Sequence, residues 1–192
     1  MNKSNRFGPT MELGVFPCIG WLSDELSNEE ILKKFLKTRP SNRWLMLGFH
    51  VPQSSNQLWT AWHCCERRNL RDNKLARSID AEFIRYLAGT HHVSEAFSRA
   101  GLGDGVGKGW LVYLPESEDF LDNSVTPKSN YQQTFENEYP KIIEILELKT
   151  IIENPELSIS HALKLGLDEE NLNLQNLENS LIAFILSSEF NS

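Results

Sequence analysis

The chain has 192 residues, 40% of them hydrophobic and 23% charged, with a formal net charge of −7. That length suits one domain, and that balance suits a packed core better than a disordered or fibrous chain. No apolar run approaches the roughly 20 residues that cross a bilayer, and the polar first ten residues carry no apolar leader. The sequence therefore predicts a soluble, cytoplasmic protein without membrane association.

In chain order, a flexible segment over residues 1–10 is expected to precede a single domain over 11–192. Residues 11–22 are apolar but broken by Gly14, Pro17 and Gly20, which predicts an irregular or edge strand. Ser27 with Glu30 three residues on has capping-box spacing, and Ile31, Leu32, Phe35 and Leu36 share one face before Pro40, the pattern of a short amphipathic helix. Residues 44–51 are almost continuously apolar and predict a central strand closed by Pro52. Residues 53–71 lack Gly and Pro and place Leu58, Ala61, Trp62 and Cys65 at helical spacing. A turn at Asp72 and Asn73 leads to a second helix over 74–87. Thr90 is positioned to cap a third, carrying Val93, Ala96, Phe97 and Ala100 and ending at Gly101.

A glycine-rich connection over 101–109 is followed by a strand at 110–114, and residues 116–130 are polar enough to be mostly loop. Pro140 is expected to start a helix through Ile142, Ile143, Leu146 and Ile151, broken by Pro155. The last helix is expected over 174–188. Strands interleaved with helices define an α+β fold (α/β-like), a small mixed sheet packed with several helices. No internal repeat is visible.

The glycine-rich stretch fails as a phosphate loop. A P-loop needs glycine five residues before the Gly107–Lys108 pair and a hydroxyl after it, where this chain has Leu102 and Gly109. The order is also reversed, since phosphate loops leave a strand and open a helix. No hydrolase or metalloprotease motif occurs, so a non-enzyme without its own cofactor or metal is expected. The three cysteines include the neighbours Cys64 and Cys65 on a helix, which cannot readily bond each other, and no C-x-x-C pair is present.

Charge is unevenly spread. Up to Pro115 there are 15 Lys and Arg against 11 Asp and Glu, and from Glu116 onward 4 against 15. On a wheel of about 100° per residue, Leu75, Ala76, Ile79, Phe83, Ile84, Tyr86 and Leu87 of the 74–87 helix form one apolar arc. Lys74, Arg77, Ser78, Ala81 and Arg85 form the other face, with Asp80 misplaced in the apolar arc. Arg67, Arg68 and Arg71 lie just upstream. By pattern alone the basic stripe reads first as a solvated helix face.

The segment Ala76-Arg-Ser-Ile-Asp-Ala-Glu-Phe-Ile-Arg-Tyr-Leu-Ala-Gly-Thr-His-His-Val-Ser-Glu-Ala-Phe97 resembles the signature of the CGI/TPRKB family, the kinase-binding small subunit of the KEOPS complex. The likeness lies in a helix with an internal Glu82, a Leu-Ala-Gly ending, a polar tripeptide, and Val-x-x-Ala-Phe opening the next helix. It covers about 35 residues, with weaker likeness after them. Two departures stand out. His91 and His92 occupy places where the family usually has a basic and an amide residue, and the 153–174 stretch is longer than the family needs.

The resemblance implies a non-catalytic subunit that binds the atypical kinase/ATPase subunit of KEOPS and, as in archaeal forms, the single-stranded 3′ CCA end of tRNA, in threonylcarbamoyladenosine formation. ATP and iron or zinc would then belong to partner subunits. A single-stranded end is recognised by cations and flat side chains, which makes Arg71, Lys74, Arg77, Arg85, Gly89, Thr90, His91 and His92 the candidate RNA contacts. Glu82 is expected to orient a neighbouring base or arginine. Leu181, Phe184 and Ile185, in a helix apolar on nearly every side, are candidates for the kinase contact, with burial in the domain's own core as the alternative. A kinase-binding module without RNA binding, and a stand-alone enzyme, are the competing functions.

Overall fold

The computed structural model describes residues 13–103, 106–119 and 125–190. The expected N-terminal segment 1–10 lies outside them. Two sets of helices enclose a four-stranded sheet of order β2-β3-β1-β6, built from β1 (Cys18–Ser27), β2 (Trp44–Gly48), β3 (Val106–Tyr113) and β6 (Lys149–Ile151). A small second sheet pairs β4 (Ser117–Asp119) with β5 (Val125–Pro127) inside the stretch expected to be loop. The α+β class holds, but every pairing is antiparallel, so the sheet is not mixed.

Side chains alternate across this sheet, and each face has its own core. Trp21, Trp44, Met46, Leu111 and Tyr113 pack with Ile31 and Phe35 of α1 (Asn28–Thr38) and with Phe135, Ile142 and Leu146 of α5 (Tyr131–Leu146). On the opposite face, Leu45, Leu47, Trp110 and Val112 meet α2 (Ser55–Leu70), α3 (Ile79–Leu87), α4 (Val93–Ala100), α6 (Ile159–Leu165) and α7 (Leu177–Phe190). Double coverage explains why β2 reads as a central strand. All five of its residues are buried although it lies at the sheet edge. β1 is the reverse case: Gly14 and Pro17 fall before it, and it runs inside the sheet between β3 and β6.

Residues 106–109 of the glycine-rich stretch belong to β3. Gly109 pairs with Gly48, and a Cβ on it would sit 2.7 Å from the Leu47 carbonyl oxygen and 2.8 Å from the Trp21 ring. Close backbone packing, rather than loop freedom, accounts for that glycine. Pro140 lies within α5 instead of starting it, and Ile151 ends in β6. The 153–174 stretch holds α6, capped by Ser158, and a 3-10 helix at Glu169–Asn171. The capping box at Ser27 forms as expected: its hydroxyl accepts from the Glu30 N–H, and the Glu30 carboxylate accepts from the Ser27 N–H. Among the described residues no helix is long and apolar enough to cross a membrane.

Candidate functional site

The 74–87 region is helical only from Ile79, because the chain before it is held by a side chain. The Ala76 N–H donates to Glu82 Oε2 at 2.8 Å and Ser78 becomes the N-cap. Glu82 and Arg85, three residues apart on α3, are both fully buried and joined at 2.8 Å (Nη2 to Oε1) and 3.3 Å (Nε to Oε2). Arg85 Nη1 also donates to the Thr90 carbonyl at 3.2 Å and reaches His91 Nδ1 at 3.4 Å, while its guanidinium lies 4.4 Å from the centre of the Tyr86 ring. Two buried charges persist only when each is paired and hydrogen-bonded. The pair is therefore a clamp linking the 74–78 segment to the 88–92 turn. Burial opposes charge on Arg85, but the Glu82 carboxylate outweighs it and raises the guanidinium further. Desolvation, then the Arg85 and Arg68 charges, hold His91 below its ordinary value.

The expected RNA contacts are divided by this arrangement. Arg71, Arg77 and His92 are exposed, and Lys74 is half-buried with its ammonium on Asn69 Oδ1 at 2.8 Å. Arg85 faces the interior and is removed from the exposed stripe. The helical wheel misplaced it because α3 is enclosed by α2, α4 and α7, leaving all nine of its residues buried. Asp80 is no misfit: it meets Arg39 Nη1 at 2.6 Å, and the same nitrogen donates to the Trp44 carbonyl of β2. Gly89 has φ +59° and lies against Phe184, whose ring would be 2.3 Å from an added Cβ. Its lack of a side chain thus admits α7 rather than an incoming strand. Thr90 is buried, donating its hydroxyl to Glu95 and accepting from the His92 N–H at 3.2 Å. The N-cap of α4 is His92, not Thr90, and no side chain caps that helix.

Among the expected kinase contacts, Leu181 and Ile185 are 1% and 0% exposed and belong to the protein's own core with Leu177. The alternative weighed for them, burial within the domain, is the observed state. Phe184 is half-buried over Gly89.

A neighbouring corner escaped the sequence reading. Glu189, near the end of α7, accepts from Arg67 Nη2 at 2.7 Å and from the Tyr86 hydroxyl at 2.5 Å, with Arg68 Nε at 3.7 Å. Burial and then this carboxylate push the Tyr86 phenol well up from its ordinary value. The two arginines were visible upstream of the signature segment, but Glu189 is 103 residues from Tyr86 and no local pattern announces the contact. Among the described residues no three His, Cys, Asp or Glu side chains converge in a way that would hold a metal ion. The Cys18 and Cys64 thiols are pushed by burial up to about 12 and about 11, which makes them unreactive near neutral pH. No protein-family model matches the chain, and no curated protein matches it.

Proposed function

We propose that this chain is a non-catalytic regulatory subunit of a KEOPS-type assembly, binding the atypical kinase/ATPase subunit and the 3′ CCA end of tRNA in threonylcarbamoyladenosine formation. The observation that supports the reading is that the residues carrying the family resemblance build one mechanical unit. Glu82 and Arg85 order both the segment bearing Arg77 and the turn bearing His91 and His92. An unpaired RNA end requires cations and stacking surfaces set in advance, because flexible groups lose entropy on binding. Arg71 and Arg77 supply exposed charge, and His92 a flat ring at the start of α4.

The deciding experiment is a titration of intact tRNA against the same tRNA lacking its last three nucleotides. Stacking at about 1–3 kcal/mol per base makes the intact RNA bind at least roughly fivefold tighter. Equal affinities would remove end recognition. A second reading, kinase binding without RNA binding, is favoured by Arg85 and Gly89 being used internally and by the net charge of −7. It predicts capture of the purified kinase subunit together with no tRNA binding in the same titration.

A further inference from the structure

A cavity of about 250 Å³ lies between the turn that follows β2, the strand β3 and the connection from β6 to α6. At about 30 Å³ per water, it has room for roughly eight waters or for one small organic molecule. Its lining is largely apolar and aromatic. Phe49 and Trp110 are stacked with ring centres 5.8 Å apart, and His161 meets Phe49 edge-on at 6.5 Å. The Trp110 indole N–H is taken up by the Phe49 carbonyl at 3.0 Å, so the tryptophan offers a bound molecule apolar surface rather than a donor. The cavity is also preformed, because Gln53 Oε1 accepts the Ser158 N–H at 3.0 Å and ties the wall that enters α6 to the segment before α2.

Charges of both signs border this recess. Glu153 and Glu156 line it, and among the described residues neither carboxylate takes part in an ion pair or a hydrogen bond. A second pair comes from β3 and α6. The Lys108 ammonium lies 3.5 Å from the centre of the Phe49 ring, and Lys164 and Lys108 both stand close enough to His161 to add to burial and His50 in lowering it. Neither lysine has an anionic partner among the described residues. Elsewhere on the surface, Lys33, Lys34, Lys128, Lys141 and Lys149 each hold a carboxylate. Here opposite charges border one cavity and do not neutralise each other.

We infer that this cavity binds a free amino acid with an apolar side chain, its side chain on the Phe49 and Trp110 rings, its ammonium at Glu153 and Glu156, and its carboxylate at Lys108 and Lys164. A simple cation is opposed by the two lysines, and a simple anion by the two glutamates. A small zwitterion satisfies both pairs, and the apolar lining takes up the remainder of the molecule. The site is independent of the RNA and kinase readings, which concern α3, α4 and α7.

The test is calorimetric titration of the full chain with L-leucine, with isoamylamine, which lacks the carboxylate, and with isocaproate, which lacks the ammonium, at matched ionic strength and about pH 7.5, where free imidazoles are neutral. Leucine is expected to bind saturably and at least roughly threefold more tightly than either analogue, the scale of one partly exposed ion pair. Glu153→Gln combined with Glu156→Gln should erase the advantage of leucine over isocaproate. Lys108→Gln combined with Lys164→Gln should erase its advantage over isoamylamine. All four side chains are exposed and none makes a hydrogen bond, so both double variants keep the fold, as circular dichroism would verify. No saturable leucine binding up to about 10 mM, an order of magnitude above the millimolar affinity of weak ligands, would overturn the site. Equal affinity for the three compounds, or an undiminished leucine advantage in either double variant, would overturn it as well.

Discussion

Arg43 and Glu66 face each other through two nitrogens and two oxygens, and Glu66, only 1% exposed, accepts further from Asn69 and Ser117. Arg43 also donates to the Pro115 carbonyl, so the pair joins α2 to the approach to β2 and to the small hairpin. Removing one member strands the other charge in a low-dielectric setting. Glu66→Ala is expected to cost about 3–5 kcal/mol in urea denaturation, and a loss below about 1 kcal/mol, the range of exposed pairs, would show the site to be solvated. Gly89 poses a steric question instead. Its φ of +59° disfavours any Cβ, and the Phe184 ring occupies the space one would need. Gly89→Ala is expected to lower stability by more than the roughly 1–2 kcal/mol of the backbone effect alone. Phe184→Ala in the same chain should return part of that loss. These residues also mark what was legible. That Glu82 would orient a neighbouring base or arginine was expected, and Arg85 is that arginine, whereas the burial of Arg85 was not legible. A wheel assigns one buried face, and α3 is enclosed on all sides.

At the scale of elements, local signals survived where the partners lie within one turn. The capping box at Ser27 is such a case, since both of its hydrogen bonds span three residues. Signals that depend on distant packing did not survive. The order of β2 and β1 in the sheet, the entry of Gly107 and Gly109 into β3, and the position of Pro140 all depend on what lies across the sheet or along the following helix. Pro140 gives a direct test. It has no N–H to offer the Glu136 carbonyl, and in a helix interior such a residue costs up to about 3 kcal/mol relative to alanine. Pro140→Ala is therefore expected to stabilise the protein by about 1 kcal/mol or more, read as a higher urea midpoint at unchanged slope. An unchanged or lower midpoint would mean that α5 uses the proline bend to seat Ile142 and Leu146 against the sheet.

Across the whole molecule, histidines rather than carboxylates set the first acid-sensitive range. Burial is the leading cause that lowers His50, His63 and His161, with Lys164 acting on His50 and His161, and Arg67 on His63. His50 and His161 also face each other with ring centres 6.3 Å apart, so charging one opposes charging the other. The Arg99 carbonyl 2.8 Å from His50 Nε2 works in the other direction but does not overcome burial. In the unfolded chain each of these groups titrates near about 6.5. Because the folded values lie lower, the unfolded chain binds more protons between the two, and stability falls as pH falls through that interval. The contribution is complete above about pH 6.5 and is lost as pH drops through the folded values. Glu30, Glu95 and Glu116 are shifted down by their hydrogen bonds to Ser27, Thr90 and Lys128, so their contribution is lost only below the ordinary carboxylate range near about 4.3. Urea midpoints measured at about pH 7.5, 6.5 and 5.5 should thus be nearly level over the first interval and fall over the second. His161→Gln, which removes one of the facing pair, should reduce that fall. A wild-type midpoint that is flat down to about pH 5.5 would show that these histidines charge as readily in the folded protein as in the unfolded chain.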